Sequence, residues 1–304
     1  MTRNEEQDSA AQMPWRGPAG TRRNVIKVVA VVLLIVLVVH LLMVGSHYVR
    51  EKAKRACCAA ILVGIGQAMW EYAEANAGSW PIIPHAPATQ PGIGRVAYAP
   101  GKIGKYREGI SPTTAPSDNT TTEGSTTANL WLLIRFGRLT GTSFTCPSSN
   151  DFYGLDDNWE QLWDFKSYEF TSYGYQVPFG QAGRPDKSAE PRMVLVADKG
   201  PYGAALEKGE PHPGVLTAAI DASRKRWRPW NTINHERAGQ NVLRIDGSAE
   251  WSSTPLAGVN KDNIYTRWSD PTGGTDADPT PRIHGTPPTG METPFADTDS
   301  LIYP

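Results

Sequence analysis

Between Val25 and Gly45 nearly every residue is Val, Leu, Ile, Ala or Met, and this run constrains the fold more than any other feature. A helix crossing the hydrocarbon core of a bilayer needs about 20 such residues at roughly 1.5 Å of rise each. Residues 25–45 are therefore expected to be a membrane-spanning helix held by lipid. A core helix of a soluble protein seldom needs so unbroken an apolar stretch. Lys27 lies at the edge, where its stem can carry the charge to water, and His40 has no acidic partner within the run and reads as incidental.

Arg16, Arg22, Arg23 and Lys27 precede the span, while Arg50, Lys52, Lys54 and Arg55 follow it. The basic flanks nearly balance. The short leading segment and the large body after it favour a single-pass anchor with its N-terminus in the cytoplasm and its C-terminal body outside. Thr21-Arg22-Arg23-Asn24-Val25-Ile26-Lys27 looks like a twin-arginine export signal, but no small-residue cleavage site follows, so an uncleaved signal anchor is expected.

The helical pattern continues past the span. Cys58, Leu62, Ile65, Met69 and Tyr72 recur at steps of three and four, and the first clear breaker is Gly78 before Pro81. One helix is thus expected from about Asn24 to Ala77, on the order of 80 Å long, with its second half offering an apolar stripe to a soluble domain. The partner surface should be an antiparallel sheet, because Thr171 to Val177, Met193 to Ala197 and Gln240 to Ile245 are β-rich runs separated by turns. Asn129 to Gly137 and Asp157 to Trp163 read as short helices, and Ser111 to Ala128 as a loop.

The fold class is then α+β, a long N-terminal helix packed on an antiparallel sheet with long loops. Its parts are a flexible cytoplasmic tail (1–23), a transmembrane and extended helix (24–78), a body (79–255), and an extended or disordered C-terminal tail (256–304). Gly 29 and Pro 25 in 304 residues agree with a folded body carrying long loops. Lys+Arg 30 against Asp+Glu 31 leaves no global basic field, which argues against a nucleic-acid partner.

The cysteines are Cys57, Cys58 and Cys146. Adjacent residues on a helix diverge by about 100°, so Cys57 and Cys58 are poorly placed to bridge each other. Cys58 shares the stripe of Leu62, Ile65 and Met69, which makes it the better partner for Cys146; two buried thiols are the alternative. Asp246-Gly247, between Asn241 to Ile245 and Ser248 to Trp251, predicts a two-residue type I′ hairpin. That register sets Val242 opposite Trp251 and Leu243 opposite Glu250, with the first pair facing the helix. His235 and Asp246 could act as ligands or as an acid–base pair, but the turn alone accounts for the aspartate. Asp186, Asp198, Glu210, Asp221 and His212 could gather round a metal, although their spacing fits no metal motif and solvated loop charges are the simpler reading. No nucleophile elbow, phosphate loop or zinc-binding helix pattern is present, so neither a cofactor nor catalysis is expected.

In order along the chain come Cys58 to Tyr72, Gly78-Ser79-Trp80-Pro81, Asn129-Leu130-Trp131-Leu132-Leu133, Phe144-Thr145-Cys146-Pro147-Ser148, Ser172 to Phe179, Val194 to Asp198, and His235 to Gly247. This order resembles the type IV pilin-like and type II secretion pseudopilin-like proteins, especially the prepilin-like paralogue group of planctomycetes, whose hairpin motif matches His235, Asp246 and Gly247 here. The chain departs from that group in lacking the Gly-Phe-Thr-Leu-x-Glu processing signal before the apolar run, and in having one more residue than usual between the His and the Asp-Gly pair. The resemblance implies a pilin-like ladle fold and a non-enzymatic structural role, with self-association or secretion-system components as partners. An anchored extracytoplasmic domain that binds a glycan or metal, or a hydrolase, is the alternative suggested by the ten tryptophans and the His and Asp residues.

Overall fold

The computed structural model describes residues 19–83, 126–151, 162–165, 168–178, 186–203, 213–269, 278–288 and 292–303. The leading tail, most of the Ser111 to Ala128 loop, the expected helix from Asp157, and Glu210 and His212 lie largely or wholly outside them. The chain divides into two compact units, Met1–Arg50 and Glu51–Pro304, and the residues of the first helix, α1 (Ala19–Ala75), are shared between them.

In the first unit every described side chain from Asn24 to Arg50 is exposed. The most apolar window of α1 has a mean hydropathy of 3.2 with none of it buried, so this helix is long and apolar enough to cross a membrane.

In the second unit the same helix behaves as an amphipathic one. Cys58, Leu62, Ile65 and Met69 are fully buried, Tyr72 packs at the margin, and the helix ends near Ala77 and Gly78, which both take positive φ. Those residues face a five-stranded antiparallel sheet of order β4-β3-β2-β1-β5, built from β1 (Tyr173–Gln176), β2 (Val194–Asp198), β3 (Gln240–Arg244), β4 (Ala249–Ser252) and β5 (Ile302–Tyr303). The helix approaches β3 closely: a Cβ on Gly66 would lie 3.1 Å from Leu243 Cδ1. Helix α2 (Thr126–Arg135) adds Leu130, Trp131, Leu133 and Ile134 to the same core.

The hairpin differs from its expected form. Gly247 N donates to Arg244 O at 3.0 Å and Arg244 N to Ser248 O at 2.9 Å, which encloses Ile245, Asp246 and Gly247 in a three-residue loop. Only Gly247 takes positive φ there, at 84°. This is a type I turn closed by a left-handed glycine, and it uses one residue more than a type I′ turn. The added residue shifts every pair, so Asn241 faces Trp251, Val242 faces Glu250 and Leu243 faces Ala249. A shift of one residue exchanges the faces of a strand. Leu243, not Val242, therefore packs in the helix-side core, while Val242 joins Ala257, Ile264, Tyr265 and Ile302 on the opposite face.

That opposite face corrects the expectation of an extended or disordered C-terminal tail. The described residues after Leu256 are packed: Ile264, Tyr265, Trp268, Leu301, Ile302 and Tyr303 are buried, and β5 pairs with β1. Ile302 N donates to Ile264 O at 2.7 Å, tying two parts of the segment together beneath the sheet. The sparse apolar residues suffice because β1, β2 and most of β3 are buried on both faces and need a second cover.

Candidate functional site

The polar residues of the core converge where α1 crosses the start of β3. Glu51 and Cys58 come from α1, Asp198 from the end of β2, Asn241 from β3, and Cys146 from the turn after Gly141–Phe144. His235 enters on a turn in which His235, Glu236 and Arg237 have φ of 51°, 56° and 58°. Three consecutive non-glycine residues in the left-handed region are unfavourable by about 1–2 kcal/mol each. Such strain persists only where the surroundings over-determine it; here it carries a fully buried imidazole into the core.

His235 Nδ1 lies 2.8 Å from Glu51 Oε1, and Nε2 lies 3.5 Å from Asp198 Oδ2 and 3.4 Å from Cys146 Sγ. Burial opposes a charge on His235, but its hydrogen bonds to Asp198 and Glu51 and their negative charges outweigh that and raise its pKa. Burial likewise disfavours the Glu51 carboxylate, yet bonds from Ser148 (2.6 Å) and His235 hold its pKa below the ordinary value. Asp198 is held by Asn234 Nδ2 at 3.1 Å on Oδ1 and by Asn241 N at 2.7 Å on Oδ2. The edge of Trp251 closes the cluster against the His235 ring at 5.2 Å between centroids, and the Arg55 guanidinium stacks over Trp251 at 4.1 Å.

Cys58 and Cys146 form a disulfide with Cα atoms 5.6 Å apart, and Cys57 is free and exposed. Beside the bridge, Lys199 Nζ donates to Asp151 Oδ1 at 2.7 Å and to Thr171 O at 2.8 Å, with neither side chain more than 1% exposed. Ser172 Oγ donates to Asp151 Oδ2 and accepts from Cys146 N, which links this ion pair to the disulfide.

The structure separates His235 from Asp246. The aspartate is exposed in the hairpin, where it accepts from Ser248 N at 2.9 Å and Ser248 Oγ at 2.6 Å. Those bonds hold its pKa below the ordinary value. Of the five residues considered as a metal cluster, Asp198 joins His235; Asp186 and Asp221 are exposed elsewhere, and Glu210 and His212 lie outside the described residues. Sequence reasoning missed Glu51, Asp151, Lys199 and Asn241. The only available signal was Glu51 standing seven residues before Cys58, two helical turns along the same face.

Among the described residues, Cys58, Cys146, Asp198 and His235 each offer a ligand atom, and these atoms all lie within 4.8 Å of one another. In the disulfide the sulfurs are bonded to each other and cannot act as thiolate ligands. Comparisons of the chain with protein-family models, with curated proteins and with solved structures find no match.

Proposed function

We propose that this protein is a membrane-anchored, pilin-like structural subunit of a secretion or surface assembly, with its N-terminus in the cytoplasm and its body outside, and that it works without catalysis. One observation carries the reading. A single helix is apolar and exposed through its first half and then buries one stripe against an antiparallel sheet. That division of labour is the one the pilin-like resemblance implies, an anchoring half that neighbours can contact and a half that belongs to the body. The buried cluster supports a structural role, since Glu51 at 8% is the most exposed of Glu51, Cys58, Cys146, Asp198 and His235, leaving a substrate little surface to reach.

The test is crosslinking in native membranes. Photoreactive residues placed at Val32 and Val36 are expected to trap a second copy of the chain or a secretion component. Recovery of monomer alone from every position would remove the assembly role while leaving the fold intact. Orientation is read separately through the exposed thiol of Cys57, which a membrane-impermeant maleimide is expected to label from the outer side.

A further inference from the structure

We propose that Cys58, Cys146, His235 and Asp198 form a binding site for a zinc-class divalent cation whenever the two cysteines are reduced, so that metal and disulfide are alternative occupants of one buried site. The inference is independent of the assembly role proposed above.

The four ligand atoms lie within 4.8 Å of one another, so closing a tetrahedral centre on them requires the two sulfurs to part and the longest separation to shorten. With metal–sulfur bonds of about 2.3 Å and metal–nitrogen or metal–oxygen bonds of about 2.0–2.2 Å, the edges of a ligand tetrahedron run roughly 3.3–3.8 Å. His235 Nε2 already lies 3.4 Å from Cys146 Sγ and 3.5 Å from Asp198 Oδ2. Two thiolates, an imidazole and a carboxylate form a donor set suited to a borderline cation such as Zn²⁺.

The outer groups are also those of a metal site. Glu51 Oε1 sits 2.8 Å from His235 Nδ1, and a carboxylate accepting from that nitrogen leaves Nε2 as the bare ligand atom, beside Cys146 Sγ and Asp198 Oδ2. Asn234 and the backbone N–H of Asn241 orient Asp198, and Ser148 N donates to Cys146 Sγ at 3.4 Å. Asn241 Nδ2 stands 3.2 Å from Nε2 and 3.4 Å from Asp198 Oδ2, where a small rotation leaves it as a donor to the carboxylate alone. The strained left-handed turn carries the buried His235 ring to this point.

The exchange balances. On binding, two thiols lose their protons to solvent and the two thiolates coordinate the cation. On oxidation by a disulfide reagent or carrier, the two thiolates surrender two electrons, the Cys58–Cys146 bond forms, the reagent leaves as two thiolates, and the cation returns to water. Reduction by a dithiol reverses the step.

The experiment uses the full chain in detergent micelles, oxidised or reduced with a phosphine, titrated with Co²⁺ and then Zn²⁺. The reduced chain is expected to bind one Co²⁺ with thiolate-to-cobalt charge-transfer bands and the intense visible bands of a tetrahedral site. Zn²⁺ should displace the cobalt and raise the reduced chain's Tm, while the oxidised chain binds none. Cys57→Ser should bind as the parent does. Cys146→Ser, with one thiolate left, should lose part of the charge-transfer intensity, and Glu51→Gln should keep the tetrahedral spectrum with affinity about 10–100-fold weaker. A reduced chain that takes up no cobalt and that Zn²⁺ neither refolds nor stabilises would overturn the proposal. So would an unchanged spectrum in Cys146→Ser.

Discussion

A lysine without exposed surface follows directly after Asp198, and its ammonium is held by Asp151 and Thr171 in the core. Removing one member of a buried ion pair strands the other charge, which typically destabilises by about 3–5 kcal/mol, whereas replacing both with apolar groups is often close to neutral. Lys199→Met is therefore expected to lower stability by about that amount. The double variant with Asp151→Leu should recover much of the loss, as measured by urea unfolding. A double variant as unstable as the sum of the single changes would show that the two charges do not couple, and that each side chain acts through its other bonds, Asp151 to Ser172 and Lys199 to Thr171 O.

Among the elements, the β3–β4 hairpin sets which side chains meet α1. Its loop depends on Gly247 at φ 84°, while the space around a Cβ there is open, with Trp70 Nε1 the nearest atom at 3.8 Å. Any cost of substitution is thus one of backbone conformation rather than crowding. Gly247→Val should destabilise by about 1 kcal/mol or more. Asp246→Asn should be mild, because an amide oxygen can still accept from Ser248 N, and Asp246 does not take positive φ. Thermal melts of the two variants check the contrast; equal losses would mean that the Asp246 carboxylate matters to the loop as much as the glycine does. The same comparison bears on function, since an Asp246→Asn chain that folds normally but loses an activity would favour the binding or catalytic alternative.

For the molecule as a whole, the packed C-terminal segment introduces a dependence on pH. Asp299 and Asp262 are both fully buried. Burial raises Asp299 from 3.8 to about 7. Burial and the neighbouring charge of Asp299 raise Asp262 well above its ordinary value. A carboxyl whose pKa is higher in the folded state favours folding most fully when it is protonated in both states, below the unfolded value. Its contribution is lost as pH rises through the folded value. The Tm is therefore expected to fall between the ordinary aspartate range and about 7, and Asp299→Asn should flatten that fall. An unchanged slope in the variant would place the titration elsewhere.

The sequence by itself determined what is local or periodic. The run from Val25 to Gly45 set the apolar half of α1, and the steps from Cys58 to Met69 set the stripe that meets the sheet. The phase of that stripe also placed Cys58, rather than Cys57, beside Cys146. Tertiary structure decided whatever depends on partners distant in the chain. Glu51 and His235 are 184 residues apart, and nothing in the spacing of either foretells the other. Asp-Gly announced a hairpin, but whether two or three residues form its loop is decided by which face of β3 the core accepts, and that choice moved Leu243 to the helix. The segment after Leu256 reads as extended or disordered because Pro, Gly, Asp and Thr dominate it. Its few apolar residues become structural only because a sheet buried on both faces gives them a surface to cover.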